Sequence, residues 1–181
     1  MKSIVTFNPS LIDFRRKIVD NQVITILSDV GEVSKNPQIQ INSTIRPPLE
    51  QANAMYDNEK AGKHIVYAAP GKEVIAIYND NKFKPRAEVI GLMINKIEEL
   101  ARAGKLVSRH CVPEDIYRKN PIIDVGINIP NPRDLTRALS DCKEVSKIIT
   151  PLTSLPGSPY NTSKVFVDAG EPAIHIEFKL E

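Results

Sequence analysis

Short branched apolar runs, most of them closed by proline or glycine, alternate along this chain with segments of helical period. That alternation limits the fold more than any other feature. Fourteen prolines and eight glycines punctuate 181 residues. The apolar run Val23-Ile24-Thr25-Ile26-Leu27 predicts a buried strand, followed by a loop over 28–37. Residues 3–7 read as a short strand, and Ser10 is placed to cap a short helix over 11–19. Ile39, Ile41 and Ile45 mark another strand, which the pair Pro47-Pro48 ends. The same pair can open a helix over 48–60, because a first turn tolerates proline.

Two segments, 63–68 and 73–78, flank Pro70-Gly71 and predict a hairpin, with His64 as a structural residue at its start. The longest helix is predicted over 86–103. There Val89, Ile90, Met93, Ile94, Ile97, Leu100 and Ala101 follow the 3.6 period, and Gly104 ends it. An apolar run over 122–127 follows Pro121, and Pro132 opens a helix over 132–143. Residues 150–163 are rich in Pro, Ser and Thr and read as a loop. Segments 165–167 and 173–178 read as the two strands of a closing hairpin. Hairpins mixed with separate helices predict an α+β fold with a mainly antiparallel sheet and flanking helices. The length fits a single domain over 1–181.

Composition excludes several classes. A net charge of +2 gives little grip on nucleic acid or an anionic membrane surface. No apolar stretch of about 18 residues marks a membrane span. The start, Met1-Lys2-Ser3-Ile4-Val5-Thr6-Phe7, is broken by Asn8-Pro9 and has no secretory core. The expectation is therefore synthesis in the cytoplasm without a signal peptide. The two cysteines, Cys111 and Cys142, lack CxxC spacing and read as free thiols rather than a thiolate zinc cluster.

Chemistry concentrates in three separated segments: Ser108-Arg109-His110, Ile123-Asp124-Val125-Gly126 and Ile174-His175-Ile176-Glu177. Two of the three histidines fall in them. Two imidazoles and one carboxylate, with a fourth position open, form the ligand set of a catalytic zinc site. Asp124 closes an apolar run, where a buried carboxylate needs a partner.

Those segments, together with Ser43-Thr44-Ile45-Arg46-Pro47-Pro48-Leu49-Glu50-Gln51, resemble in order the motifs of the D-alanyl-D-alanine carboxypeptidase/Hedgehog-type zinc peptidases. The resemblance spans 42–179. It implies a peptidase-like core over 41–179 and leaves 1–40 as an N-terminal extension. It further implies Zn2+ held by His110, Asp124 and His175, and a substrate peptide from bacterial cell wall with a D-Ala-D-Ala or L-Ala-D-Glu type bond. Arg46 becomes a clamp on carbonyl or carboxylate, with Gln51 and Ser108 as further substrate contacts. The family's acidic base stands three residues before the last histidine. Here Pro172 occupies that place, so Glu171 is the candidate base and Asp168 the second. Action on a cell wall would require phage lysis or an export route.

Two other readings share the same strand. Asp168, Glu177 and Lys179 match the D…E-x-K pattern of metal-dependent nucleases. Alternatively, the chain keeps the fold and works by binding, as an inactive zinc-binding or structural protein.

Overall fold

The computed structural model describes residues 2–63 and 65–180. His64, expected at the start of a hairpin, lies outside the described residues. The chain divides into two compact units: Met1–Thr44 with Tyr117–Glu181, and Ile45–Ile116.

The first unit is built on a six-stranded sheet. Its strands are β1 (Ile4–Phe7), β2 (Gln38–Ser43), β3 (Ile122–Val125), β4 (Val145–Thr150), β5 (Val165–Val167) and β6 (Ile174–Phe178), in the order β1-β2-β3-β6-β4-β5. The α+β class holds, but the sheet is mixed. The central pairs β2·β3, β3·β6 and β4·β6 are antiparallel, while the edge pairs β1·β2 and β4·β5 are parallel. Segments 165–167 and 173–178 are strands, as expected, but not a hairpin. β5 pairs with β4, and β6 lies between β3 and β4. Strand β4, with its mixed sequence Val-Ser-Lys-Ile-Ile-Thr, was not expected.

The run 23–27 is helical rather than extended. It belongs to α2 (Asn21–Val33), which also absorbs most of the expected loop 28–37. Val23, Leu27 and Val30 recur at helical spacing and are buried, while Asp20 caps the start by accepting the Gln22 amide. A short α1 (Asp13–Lys17) precedes it, and α7 (Pro132–Asp141) carries Pro132 in its first turn. Helices α2 and α7 supply Val23, Leu27, Leu135 and Leu139 to the core that covers one sheet face. Residues 1–40 thus belong to this unit, with β1 in its sheet and Val23, Leu27 and Val30 of α2 in its core.

The second unit is helical: α3 (Pro48–Lys60), α4 (Ala69–Asn81) and α5 (Arg86–Arg102). The expected hairpin is absent, because residues 73–78 lie within α4. Pro70 sits in the first turn of that helix, where its missing N–H is no loss. Ala52, Met55, Tyr56, Val74, Val89, Met93 and Ile97 pack into one cluster. Gly104, at φ 74°, ends α5 as predicted, and Lys105 N–H closes back on the Leu100 carbonyl at 2.8 Å. A further short helix, α6 (Glu114–Lys119), was not predicted.

Candidate metal centre

Strand β6 alternates sharply. Ile174, Ile176 and Phe178 point into the core, and His175 and Glu177 take the opposite face. Register sets their neighbours. Asp124 of β3 stands directly opposite His175, and Lys147 of β4 stands opposite Glu177. Residues opposite one another on antiparallel strands share a face, so Asp124, His175, Glu177 and Lys147 form one polar strip.

The distances along the strip are short. His175 Nδ1 and Asp124 Oδ1 are 2.9 Å apart, His175 Nε2 and Glu177 Oε1 3.5 Å, and Lys147 Nζ and Glu177 Oε1 3.5 Å. His175 is only 1 % exposed. Burial by itself pulls its pKa down, but the bonds to Asp124 and Glu177 outweigh that and hold it above the usual imidazole value. The Glu177 carboxyl is held below its usual range, chiefly by His175 and also by Lys147, against the opposing effect of burial.

In the helical unit, four of the predicted residues share one short stretch of structure. The Arg46 backbone N–H donates to the His110 carbonyl at 2.8 Å, and Arg46 Nη1 donates to Gln51 Oε1 at 3.1 Å. The Ser108 carbonyl accepts from Cys111 N–H at 2.9 Å, a turn that fixes His110 between them. Pro47 and Pro48 start α3 right after Arg46, which places Gln51 one helical turn on. The Arg46 side chain is exposed and Gln51 is buried. Cys111 is buried, and burial pushes its thiol up to about 12 despite the nearby Arg46. That thiol is inert, and both cysteines are free.

Glu171 lies in a tight turn, where its N–H donates to the Asp168 carbonyl and Asp168 Oδ1 accepts Gly170 N–H at 2.9 Å. Because β5 and β6 do not pair, hairpin register does not govern which way Glu171 points. The D…E-x-K reading fares differently. Asp168 is exposed and engaged in that turn, Lys179 lies past the end of β6, and the cation beside Glu177 is Lys147. Sequence reasoning missed Lys147 altogether and gave Glu177 only a nuclease role. The signal for Glu177 was its i+2 spacing from His175 on a strand; Lys147 had none. Set against models of known families, characterised proteins and solved structures, the chain matches none.

Proposed function

We propose that this chain is a zinc-dependent peptidase with a Hedgehog/D-alanyl-D-alanine-peptidase-like fold, its metal held by His110, Asp124 and His175. One observation carries the reading: strand pairing sets the buried His175 imidazole against the Asp124 carboxylate, Nδ1 to Oδ1 at 2.9 Å, and His110 is the third ligand that the reading assigns. The residue types fit zinc, which takes imidazole nitrogen and carboxylate oxygen at about 2.0–2.2 Å. A zinc ion there supplies Lewis acidity toward water and toward a carbonyl group. The chain's own residues do the rest. The exposed guanidinium of Arg46, steadied by Gln51, orients the substrate, with Ser108 and Gln51 as further polar contacts. Glu171 accepts the proton in this reading. The substrates are short peptides of bacterial cell wall, reached after lysis or export. Among the described residues no helix is long and apolar enough to cross a membrane.

The test is release of peptides from purified cell wall by zinc-loaded protein. We expect cleavage that Glu171→Gln abolishes while one zinc stays bound. Zinc-loaded wild type that releases nothing would leave a binding protein of the same fold.

A second reading rests on the same strand. Both nitrogens of the His175 ring face carboxylates, Asp124 at 2.9 Å and Glu177 at 3.5 Å. A buried imidazole hydrogen-bonded to Asp124 and facing Glu177 across 3.5 Å also serves as a structural element of the sheet. That reading requires no metal, and zinc titration separates the two.

A further inference from the structure

Two β-bulges flank the His175–Asp124 pair, one on β2 and one on β4. On β2, Ile41 is opposite Val125 but Ser43 is opposite Asp124, so the strand carries one extra residue at Asn42. On β4, Val145 is opposite Phe178 but Lys147 is opposite Glu177, so the extra residue is Ser146. In a regular strand Val145 and Lys147 would share a face. The bulge separates them: Val145 stays in the core, fully buried, and Lys147 turns onto the face of His175 and Glu177. Ser146 Oγ fastens the bulge by donating to the Glu177 carbonyl at 3.0 Å.

We propose that Lys147 is a specificity residue that binds a free carboxylate of the substrate beside the metal centre. The inference rests on the zinc-peptidase reading above and deepens it. Lys147 is the diagonal neighbour of His175 across β4 and β6, a relation that places the two Cα atoms roughly 7–8 Å apart. One extended peptide residue spans about 3.3–3.6 Å. Lys147 Nζ and His175 Nε2 each lie 3.5 Å from Glu177 Oε1, so the ammonium is within two substrate residues of the His175 ring. Its Nζ lies 5.6 Å from the centre of the Phe166 ring, which steadies the stem and forms an apolar wall. Phe166 is 52 % exposed and open to a ligand.

Charge points the same way. A divalent ion and Lys147 set three positive charges against the two carboxylates Asp124 and Glu177, and the surplus suits an anion. The bland alternative is a cross-strand ion pair between Lys147 and Glu177. With side chains 39 % and 29 % exposed, such a pair adds little stability, and a bulge spent on it has no return.

The carboxylate has two possible sources, a C-terminus or an acidic side chain, and the probes separate them. Binding to zinc-loaded protein is measured by calorimetry for N-acetyl-D-alanyl-D-alanine and its C-terminal amide, and for N-acetyl-L-alanyl-D-glutamate α-amide and the corresponding D-glutamine peptide. Lys147→Met should weaken binding of the carboxylate-bearing peptide about tenfold to a hundredfold and leave its uncharged twin unchanged. Lys147→Arg should restore much of the loss, and zinc content should stay at the wild-type level in both variants. Equal affinities for wild type and Lys147→Met, or equal losses on charged and uncharged twins, overturn the role of Lys147 and leave the peptidase reading standing. Binding that depends on Lys147 without any cleavage overturns the peptidase and keeps the carboxylate site. Wild type that binds none of the four overturns both.

Discussion

The two faces of strand β6 obey opposite rules. On one, Ile174, Ile176 and Phe178 are buried among α2 and α7 side chains, and removal of apolar area from water holds them there. On the other, His175 is as buried as they are, yet it stands among Asp124, Glu177 and, one place further, Lys147. Five consecutive residues thus contain a fold-specifying face and a chemistry-bearing face. The apolar face tolerates any side chain of the right volume. The polar face tolerates only groups that answer its charges, because a buried charge without its partner is costly.

That contrast can be broken deliberately. The largest effect belongs to the apolar face: Ile176→Ala should cost about 2–5 kcal/mol of unfolding free energy, as cavity-forming substitutions do. Zinc stoichiometry of the folded protein should not change. Denaturant melts with metal analysis check both halves, and lost zinc in a fully folded variant would mean that the faces are not separate.

Glu177→Gln probes the polar face. The substitution keeps shape and removes a charge that helps to orient the His175 ring. Loss of an orienting partner typically costs tenfold to a hundredfold in metal affinity, or about 1.4–2.8 kcal/mol. Stability of the metal-free protein should fall by less than in Ile176→Ala. Unchanged zinc affinity would remove Glu177 from the centre.

The smallest effect is a pH dependence that zinc should reverse. In metal-free protein the raised His175 pKa contributes stability at pH values below the ordinary imidazole pKa. That contribution is lost as pH rises through the raised value. The lowered Glu177 pKa contributes stability above the ordinary carboxyl range, lost as pH falls through the lowered value. Metal-free protein should therefore be most stable in weak acid, between those two limits. Zinc needs a neutral imidazole, so its stabilising effect should grow as pH rises toward neutrality. Thermal melts across pH, with chelator and with zinc, test this, and parallel curves would contradict it.

Legibility in the sequence followed locality. Helices α3 and α5 were readable because Pro47-Pro48, Gly104 and a long 3.6 period signal them within a few residues. The run 23–27 misled because five branched residues suit a buried strand as well as a helix, and the cap at Asp20 decides between them. Pro70-Gly71 misled because the same dipeptide that makes a turn also opens a helix. The parallel edges β1·β2 and β4·β5 join strands through long crossovers, which no local pattern announces. At the centre, Asp124 and His175 could be named because their residue types are rare on otherwise apolar strands. Lys147 could not, because its face depends on a bulge at Ser146, and pairing alone reveals it.

If His110, Asp124 and His175 hold one metal ion, metal content shows it. Purified wild type should hold one zinc per chain after dialysis, and His110→Ala, Asp124→Ala and His175→Ala should each hold none while remaining folded by circular dichroism. A wild type that takes up no zinc, or a folded His175→Ala that keeps a full equivalent, would contradict it.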